Sequence, residues 1–470
     1  MLVSKRKKIG AITVLLIISF AYLCHHQNQK CSALKKPADQ LEALRSLPYV
    51  SSTNEKIENT ISGVTAYNSE KAFNGYNLYT DYSRRAYLID MHGKIAHEWL
   101  FPFEGRWEHL VLLKNGQIIA ICVGKCIIKL NIDSEVLWAY TLNVNHDIVM
   151  PAENTFIVPF SENSILYNSR RVHFDSLLWF SENGEIVEKW STFKNLGKLK
   201  KLHSKTLLDE RAYVKATGIA RIDRRIEKAL DDIRALYLSI ENLIKGEVIH
   251  SKLDPFEYAR EEDISKLKMR KVEFRTGITK LIRRSLGIAT YYEYYHLNSI
   301  HLVPDTQLGR KDDRFKKGNY IICLRNVSLI AILDRESKEI VWSWGAKELD
   351  WPHAPSMTYE GTILVFDNGT HRKYSRVLEI NPLTGKIVWE YKTNPPQSFF
   401  SDCWGYCQRL PNGNTLICDS GKGRVFEITK ENELVWEFFN PFAENGNRKK
   451  IYRMIRIPKE YAKECLGLSD

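Results

Sequence analysis

The sequence predicts an all-β chain folded as a six-bladed β-propeller, on three observations: a recurring tryptophan at a strand end, hairpin turns interleaved with it, and a constant spacing between the last copies. The tryptophan copies are HGKIAHEW ending at Trp99, SEVLW at Trp138, NGEIVEKW at Trp190, SKEIVW at Trp342, TGKIVW at Trp389 and NELVW at Trp436. The last three are 47 residues apart, the length of one four-stranded blade. Between them fall KNGQIIAI, KKGNYIICL, YEGTILVF and PNGNTLIC, each a glycine turn followed by an apolar strand. Sandwich and α/β folds do not repeat with this period.

Taken in order, the elements begin with Lys5, Arg6, Lys7 and Lys8 before an apolar run from Ile9 to Leu23. That is the charge and hydropathy pattern of an export signal. The run is shorter than the roughly 20 residues of a spanning helix, and Ser19-Phe20-Ala21 meets a small-x-small cleavage rule. Residues 1–24 are therefore expected to be an uncleaved signal anchor or, failing that, a cleaved signal peptide. Either puts the rest of the chain outside the cytoplasm, membrane-anchored with the N-terminus inside or secreted. A polar stalk follows over 25–61, and blades 1–3 over 62–195. From 196 to 290 the period changes: Ile219, Ile222, Ile226, Ala229, Ile233, Leu236, Ile240 and Leu243 recur at steps of three and four. Gly246 ends that helix and Asp254-Pro255 starts a second, running to about Leu286. This insertion reads as a helical hairpin packed on itself, or as a coiled-coil arm for a homodimer or a lid. Blades 4–6 are expected over 291–455 and a C-terminal tail over 456–470.

Composition is that of a folded protein, 44% hydrophobic and 26% charged, with 11% aromatic residues to fill the wedges between blades. The net charge of +12 is scattered and accompanies no nucleic-acid motif. A cleft for sulfate or phosphate esters, or a face toward anionic lipid, accounts for it equally well, and charge alone decides nothing. Export makes close cysteine pairs bridge candidates. Cys122 and Cys126 flank Val-Gly-Lys, and Cys403 and Cys407 flank Trp-Gly-Tyr. With nine cysteines at least one has no intrachain partner. No histidine stands at ligand spacing from these pairs, so no metal site is expected.

The innermost strands of a propeller start at its channel. His146 lies eight residues before Asn154 and His353 eight before Gly361, so the shared offset predicts equivalent channel positions. His296, in YYHLNSIHLVP, opens the strand leading to KKGNYIICL, and His109 precedes KNGQIIAI by slightly less. Several imidazoles around one channel are hard to justify structurally, since each buried ring needs a partner.

HLNS around His296, HAPSMTYEGTILVFDNGTHRKYSR after His353, and LPNGNTLIC with GRVFEIT and VWEFFNPF resemble the PAPS-independent arylsulfotransferase family, weakly over 64–195 and well over 291–455. The resemblance implies a six-bladed propeller of quinoprotein type that moves a sulfuryl group from a phenolic sulfate donor to a phenol acceptor. It implies a sulfohistidine intermediate and no cofactor. It assigns His353, His296 and His146 to catalysis, with Arg372 or Arg376 holding the sulfonyl oxygens. Asn298 is expected to orient His296, and Asn368 and His109 to contact substrate. A neutral imidazole is a competent nucleophile, and a second one can move the phenol's proton. One departure matters: the family's carrier histidine is expected on the last blade, yet no histidine follows His371, and the matching start reads Ser401-Asp402-Cys403-Trp404-Gly405-Tyr406-Cys407. That leaves His353 or His146 as the nucleophile, or a propeller that has lost sulfotransfer and serves as a scaffold with a helical interaction arm. EINPLTGKIVWEY also resembles the docking repeat of pyrroloquinoline-quinone propellers, but adjacent cysteines to grip a quinone are missing.

Overall fold

The computed structural model describes residues 61–203 and 292–467, except 153, 163–164, 168–169 and 445. These belong to one compact unit. The expected signal segment, almost all of the stalk and most of the helical insertion lie outside the described residues. Among the described residues no helix is long and apolar enough to cross a membrane.

Six antiparallel sheets of four or five strands follow one another along the described chain. Blade 2 is Trp107–Leu112, Ile118–Cys122, Cys126–Leu130 and Val136–Thr141. Blade 3 is Val149–Ala152, Thr155–Ser161, Asp175–Ser181 and Ile186–Ser191. Blade 4 is Leu297–Leu302, Tyr320–Leu324, Leu329–Leu333 and Ile340–Trp344. Blade 5 is Pro352–Met357, Ile363–Asp367, Arg376–Ile380 and Ile387–Tyr391. The middle two strands of blades 4 and 5 are almost wholly apolar and buried, because neighbouring blades cover both of their faces. Ile321, Cys323, Ile330 and Ile332 of blade 4 pack on Ile363, Val365, Leu378 and Ile380 of blade 5 in this way.

The ring is closed twice. The innermost strand of blade 1, Met454–Pro458, comes from the chain's C-terminal part and pairs with Gly75–Thr80, followed by Arg85–Ile89 and Ile95–Leu100. Segment 456–470, expected as a tail, thus begins inside the sheet and continues as a helix, Lys459–Leu466. Blade 6 is Tyr406–Arg409, Thr415–Asp419, Arg424–Ile428 and Leu434–Phe439, with Gly63–Tyr67 added as a fifth, outermost strand. Arg456 seals the seam. Fully buried, its guanidinium donates to Glu427 at 2.9 Å and also to Asn77, and it lies 4.6 Å from the Trp436 ring.

The tryptophan repeat has a mechanical meaning. In blades 2, 4, 5 and 6 the indole N–H at the third residue of the outer strand donates to a turn of the next blade. Trp138 reaches Glu182 at 3.3 Å, Trp342 the Pro382 carbonyl at 2.9 Å, Trp389 that of Lys430 at 2.8 Å and Trp436 that of Met91 at 2.8 Å. The register puts His97 and Glu188, not Trp99 and Trp190, at the same position in blades 1 and 3. There His97 meets the Ile132 carbonyl at 3.0 Å and Glu188 pairs with Lys338 at 3.0 Å. Trp99 and Trp190 sit two residues later on the same strand face and are buried in the core, and from there the Trp99 indole donates to the Gly116 carbonyl of blade 2 at 2.9 Å. Of the six copies in sequence, four therefore latch from the shared position and Trp99 latches from a different one.

The described cysteines carry free thiols, Cys122, Cys126, Cys403 and Cys407 among them. Neither expected bridge is formed. Cys407 is buried inside blade 6, opposite Ile417, while Cys403 sits in the half-buried loop before it. Cys122 and Cys126 face each other as reduced neighbours across their hairpin.

Candidate functional site

Each innermost strand begins at the same end of the channel, and the residues there converge. In blade 4 Leu297 pairs with Leu324, the last residue of the second strand, so His296 stands just outside the ladder opposite Arg325. Its backbone is left-handed at φ 53°, a conformation histidine tolerates better than most residues. By the same register the matching residues are Trp351 in blade 5, Trp404 in blade 6, Tyr452 in blade 1 and Arg106 in blade 2. Trp351 and Trp404 share the left-handed backbone, at φ 56° and 59°. Gly405 follows Trp404 because a Cβ there would run into the Phe366 ring.

His146 and His296 face one another with ring centroids 4.8 Å apart. Each is buried, and each has Nδ1 against a carboxylate. His146 Nδ1 lies 3.2 Å from Glu108 Oε2 and 3.3 Å from the Tyr452 hydroxyl, and His296 Nδ1 bonds to Glu293. Neither Nε2 has a hydrogen bond among the described residues. His353 joins them by another route. It lies one residue beyond Pro352, which pairs with the last residue of its second strand, Asp367, so it is not the register equivalent of His296. Its Nδ1 meets Asn368 Oδ1 at 2.6 Å. Because the Asn368 amide donates to the Ser401 carbonyl at 2.8 Å and to that of Trp404, its oxygen must accept. His353 therefore carries its proton on Nδ1 and a lone pair on Nε2.

Electrostatics keep His296 and His353 neutral. Burial and the Arg325 guanidinium push His296 down to about 4, against the pull of Glu293. Burial and Arg325 likewise hold His353 well below the ordinary imidazole value. Burial would raise the Glu293 carboxyl, but His296 and Arg325 bring it to about 2. Burial also opposes ionisation of Glu108, yet His146 and Arg106 keep it below its usual value. The result is a neutral His296 imidazole, placed to be stabilised by the Glu293 carboxylate if it becomes cationic.

The other expected site residues fall elsewhere. Arg372 and Arg376 both clamp Asp367, each at 2.9 Å, and Arg376 also reaches Glu390 at 3.2 Å. They brace a blade turn, and the cation beside the histidines is Arg325, 4.5 Å from the Trp351 ring. Asn298 does not touch His296; its amide donates to the Pro352 carbonyl at 2.9 Å and ties blade 4 to blade 5. Asn368 serves His353. His109 lies with a second polar group, where Arg453 grips Asp147 at 2.9 and 3.2 Å and His109 Nε2 is 3.5 Å from the same carboxylate. Burial and Arg453 press His109 to about 3. Arg325, Glu108, Glu293 and Tyr452 had no motif to mark them. Counting back from the Lys-Lys-Gly-Asn turn along the hairpin would have set Arg325 opposite His296.

With this geometry in place, comparison with known proteins gives one family match. Residues 256–441 match the arylsulfotransferase (ASST) family. The matched stretch contains His296, Arg325, His353, Asn368 and Trp404; Glu108, His146 and Tyr452 lie outside it. No curated protein matches the chain significantly. Among solved structures, a Bacteroides caccae protein of unknown function is 12% identical, covering 82% of this chain and 100% of its own, with a TM-score of 0.40. A streptogramin B lyase is 11% identical over 86% of this chain and 97% of its own, TM-score 0.40. A catalytically inactive virginiamycin B lyase from Staphylococcus aureus with quinupristin is 10% identical over 86% and 99%, TM-score 0.39.

Proposed function

We propose that the channel transfers a sulfuryl group from an aryl sulfate to a phenol, with His296 as its transient carrier. The observation that carries this reading is the His146–His296 pair, two facing imidazoles each backed by a carboxylate. His296 Nε2 attacks sulfur, the bond from sulfur to the aryl oxygen breaks, and the electron pair leaves with the phenolate. Forming the N–S bond makes the ring cationic, and the Glu293 carboxylate at Nδ1 balances that charge. His146, as imidazolium beside Glu108, protonates the leaving phenolate. As the free base it then takes the proton of the incoming phenol, whose oxygen attacks sulfur and frees His296. Arg325 supplies fixed donors for the sulfonyl oxygens as charge builds on them.

His296 is favoured over His353 as carrier because His353 is backed by a neutral amide, which does less to stabilise a cationic ring. The test is release of 4-nitrophenol from 4-nitrophenyl sulfate with and without an added phenol. His296→Ala should lower acceptor-dependent release about 10³-fold, within the range for loss of such a group. Release that His296→Ala leaves untouched would remove the proposal. No release by the wild-type chain with any phenol would favour an inert propeller scaffold.

A further inference from the structure

Two residues before the sixth blade's innermost strand stands Trp404, at the register position where the fourth blade has His296. Its indole stands in a triangle of rings. Tyr82 is 5.4 Å away and tilted by 41°, Tyr452 is 6.4 Å away at 68°, and Tyr82 meets Tyr452 edge-on at 6.3 Å. The triangle adjoins the reacting pair, for Tyr452 lies nearly parallel to His146, with centroids 6.4 Å apart. Tyr82 and Trp404 are only half-buried. Large apolar rings left open beside a polar, buried site are unusual unless something covers them. Two cations edge the same surface: Lys450 lies 5.0 Å from the Trp404 ring and Arg106 5.9 Å from that of Tyr82.

We infer that Trp404, Tyr82 and Tyr452 form the wall against which the aryl ring of the sulfate ester lies while its sulfur faces His296. This deepens the sulfuryl-transfer reading and rests on it for the identity of the ligand. In this chain the sixth blade then contributes ring recognition where the fourth contributes an imidazole. Offset or edge-on packing against the indole holds the substrate ring, and Lys450 and Arg106 draw in its anionic end. The wall does not change between ground and transition states, so it acts on substrate binding and little on the chemical step. The ligand class is a planar aromatic carrying a sulfonyl anion, and an aliphatic sulfonate should ignore the wall.

The test uses the full chain and 4-nitrobenzenesulfonate, whose carbon–sulfur bond cannot be transferred, with methanesulfonate as the ring-free control, both by calorimetry. Trp404→Ala and Tyr82→Leu should each weaken the arene by roughly 5–10-fold, the scale of one lost aromatic contact. Neither should change methanesulfonate binding. Trp404→Phe, which keeps a ring and guards against misfolding of the alanine variant, should restore most of the affinity. With 4-nitrophenyl sulfate, Trp404→Ala should raise KM by a similar factor with kcat within about 2-fold. Arene affinity unchanged in both Trp404→Ala and Tyr82→Leu would overturn the inference. A wild-type chain that binds the arene through Trp404 yet transfers nothing would keep the wall and sink sulfuryl transfer. An active chain whose KM ignores Trp404 would do the reverse.

Discussion

Replacing Glu293 by glutamine tests the charge logic of the pair without emptying the site. Glutamine keeps the shape and an oxygen that can still accept from His296 Nδ1, so the ring's tautomer survives while the negative charge goes. In the structure His296 and Arg325 hold that carboxylate at about 2 in spite of burial, so it is ionised at neutral pH. A unit charge about 4 Å from a developing cation is worth about 4 kcal/mol at an effective dielectric of 20. That corresponds to about 10³-fold in rate, and allowing for the amide dipole leaves about 10²-fold. The assay is single-turnover release of 4-nitrophenol at saturating 4-nitrophenyl sulfate, with 4-nitrobenzenesulfonate affinity measured in parallel. Affinity should stay within about 3-fold while the rate falls about 10²-fold, a loss confined to the step that charges the ring. A rate within about 3-fold of wild type would refute the idea that His296 becomes cationic beside this carboxylate.

Two further perturbations bear on the scaffold. Asp147→Asn leaves the buried Arg453 guanidinium without its bidentate partner, and denaturant unfolding should show a loss of about 3–5 kcal/mol; a loss under about 1 kcal/mol would mean the pair does not hold the channel. Asp175 is pushed up to about 8 by burial and by Glu293, while its Oδ2 accepts from the Leu297 amide at 3.0 Å. Its native pKa exceeds its unfolded one, so the wild type loses stability as pH rises from about 4 to 8. Asp175→Asn should remove that loss and become the more stable form by more than about 1 kcal/mol at pH 8 relative to pH 5. Parallel stability–pH curves for the two proteins would contradict the assignment.

The propeller was legible because its two strongest signals are mechanical necessities. A side chain at the third residue of each outer strand bonds to the next blade, as an indole in four of them, and glycine turns return the strands. The latch also shows why reading by residue type alone misleads. Trp99 and Trp190 look like the same repeat, but strand register puts His97 and Glu188 at the shared position, and Trp99 reaches the next blade at Gly116 instead. Ring closure was hidden for a similar reason. Pairing of Met454–Pro458 with Gly75–Thr80 joins the two ends of the chain, and no local pattern marks it. At the site, the sequence singles out the three histidines because so many imidazoles converging on one channel ask for a purpose. Arg372 and Arg376, expected at the sulfonyl oxygens, follow the Asp367-Asn368-Gly369 turn, where the structure places both of them on that aspartate. Arg325 and Glu108 reach the site from hairpin positions that only cross-strand counting reveals. The blade without a histidine, which weakened the catalytic reading in sequence, instead places an indole beside the imidazoles.

The central claim is that His296 carries the sulfuryl group, and the most direct measurement is intact mass after rapid acid-free quenching with 4-nitrophenyl sulfate and no acceptor. The account predicts one acid-labile adduct of a single sulfuryl group, mapped to the peptide containing His296, absent in His296→Ala and discharged by added phenol. An adduct mapped to His146 or His353, or nitrophenol release with no adduct at any time, would contradict it.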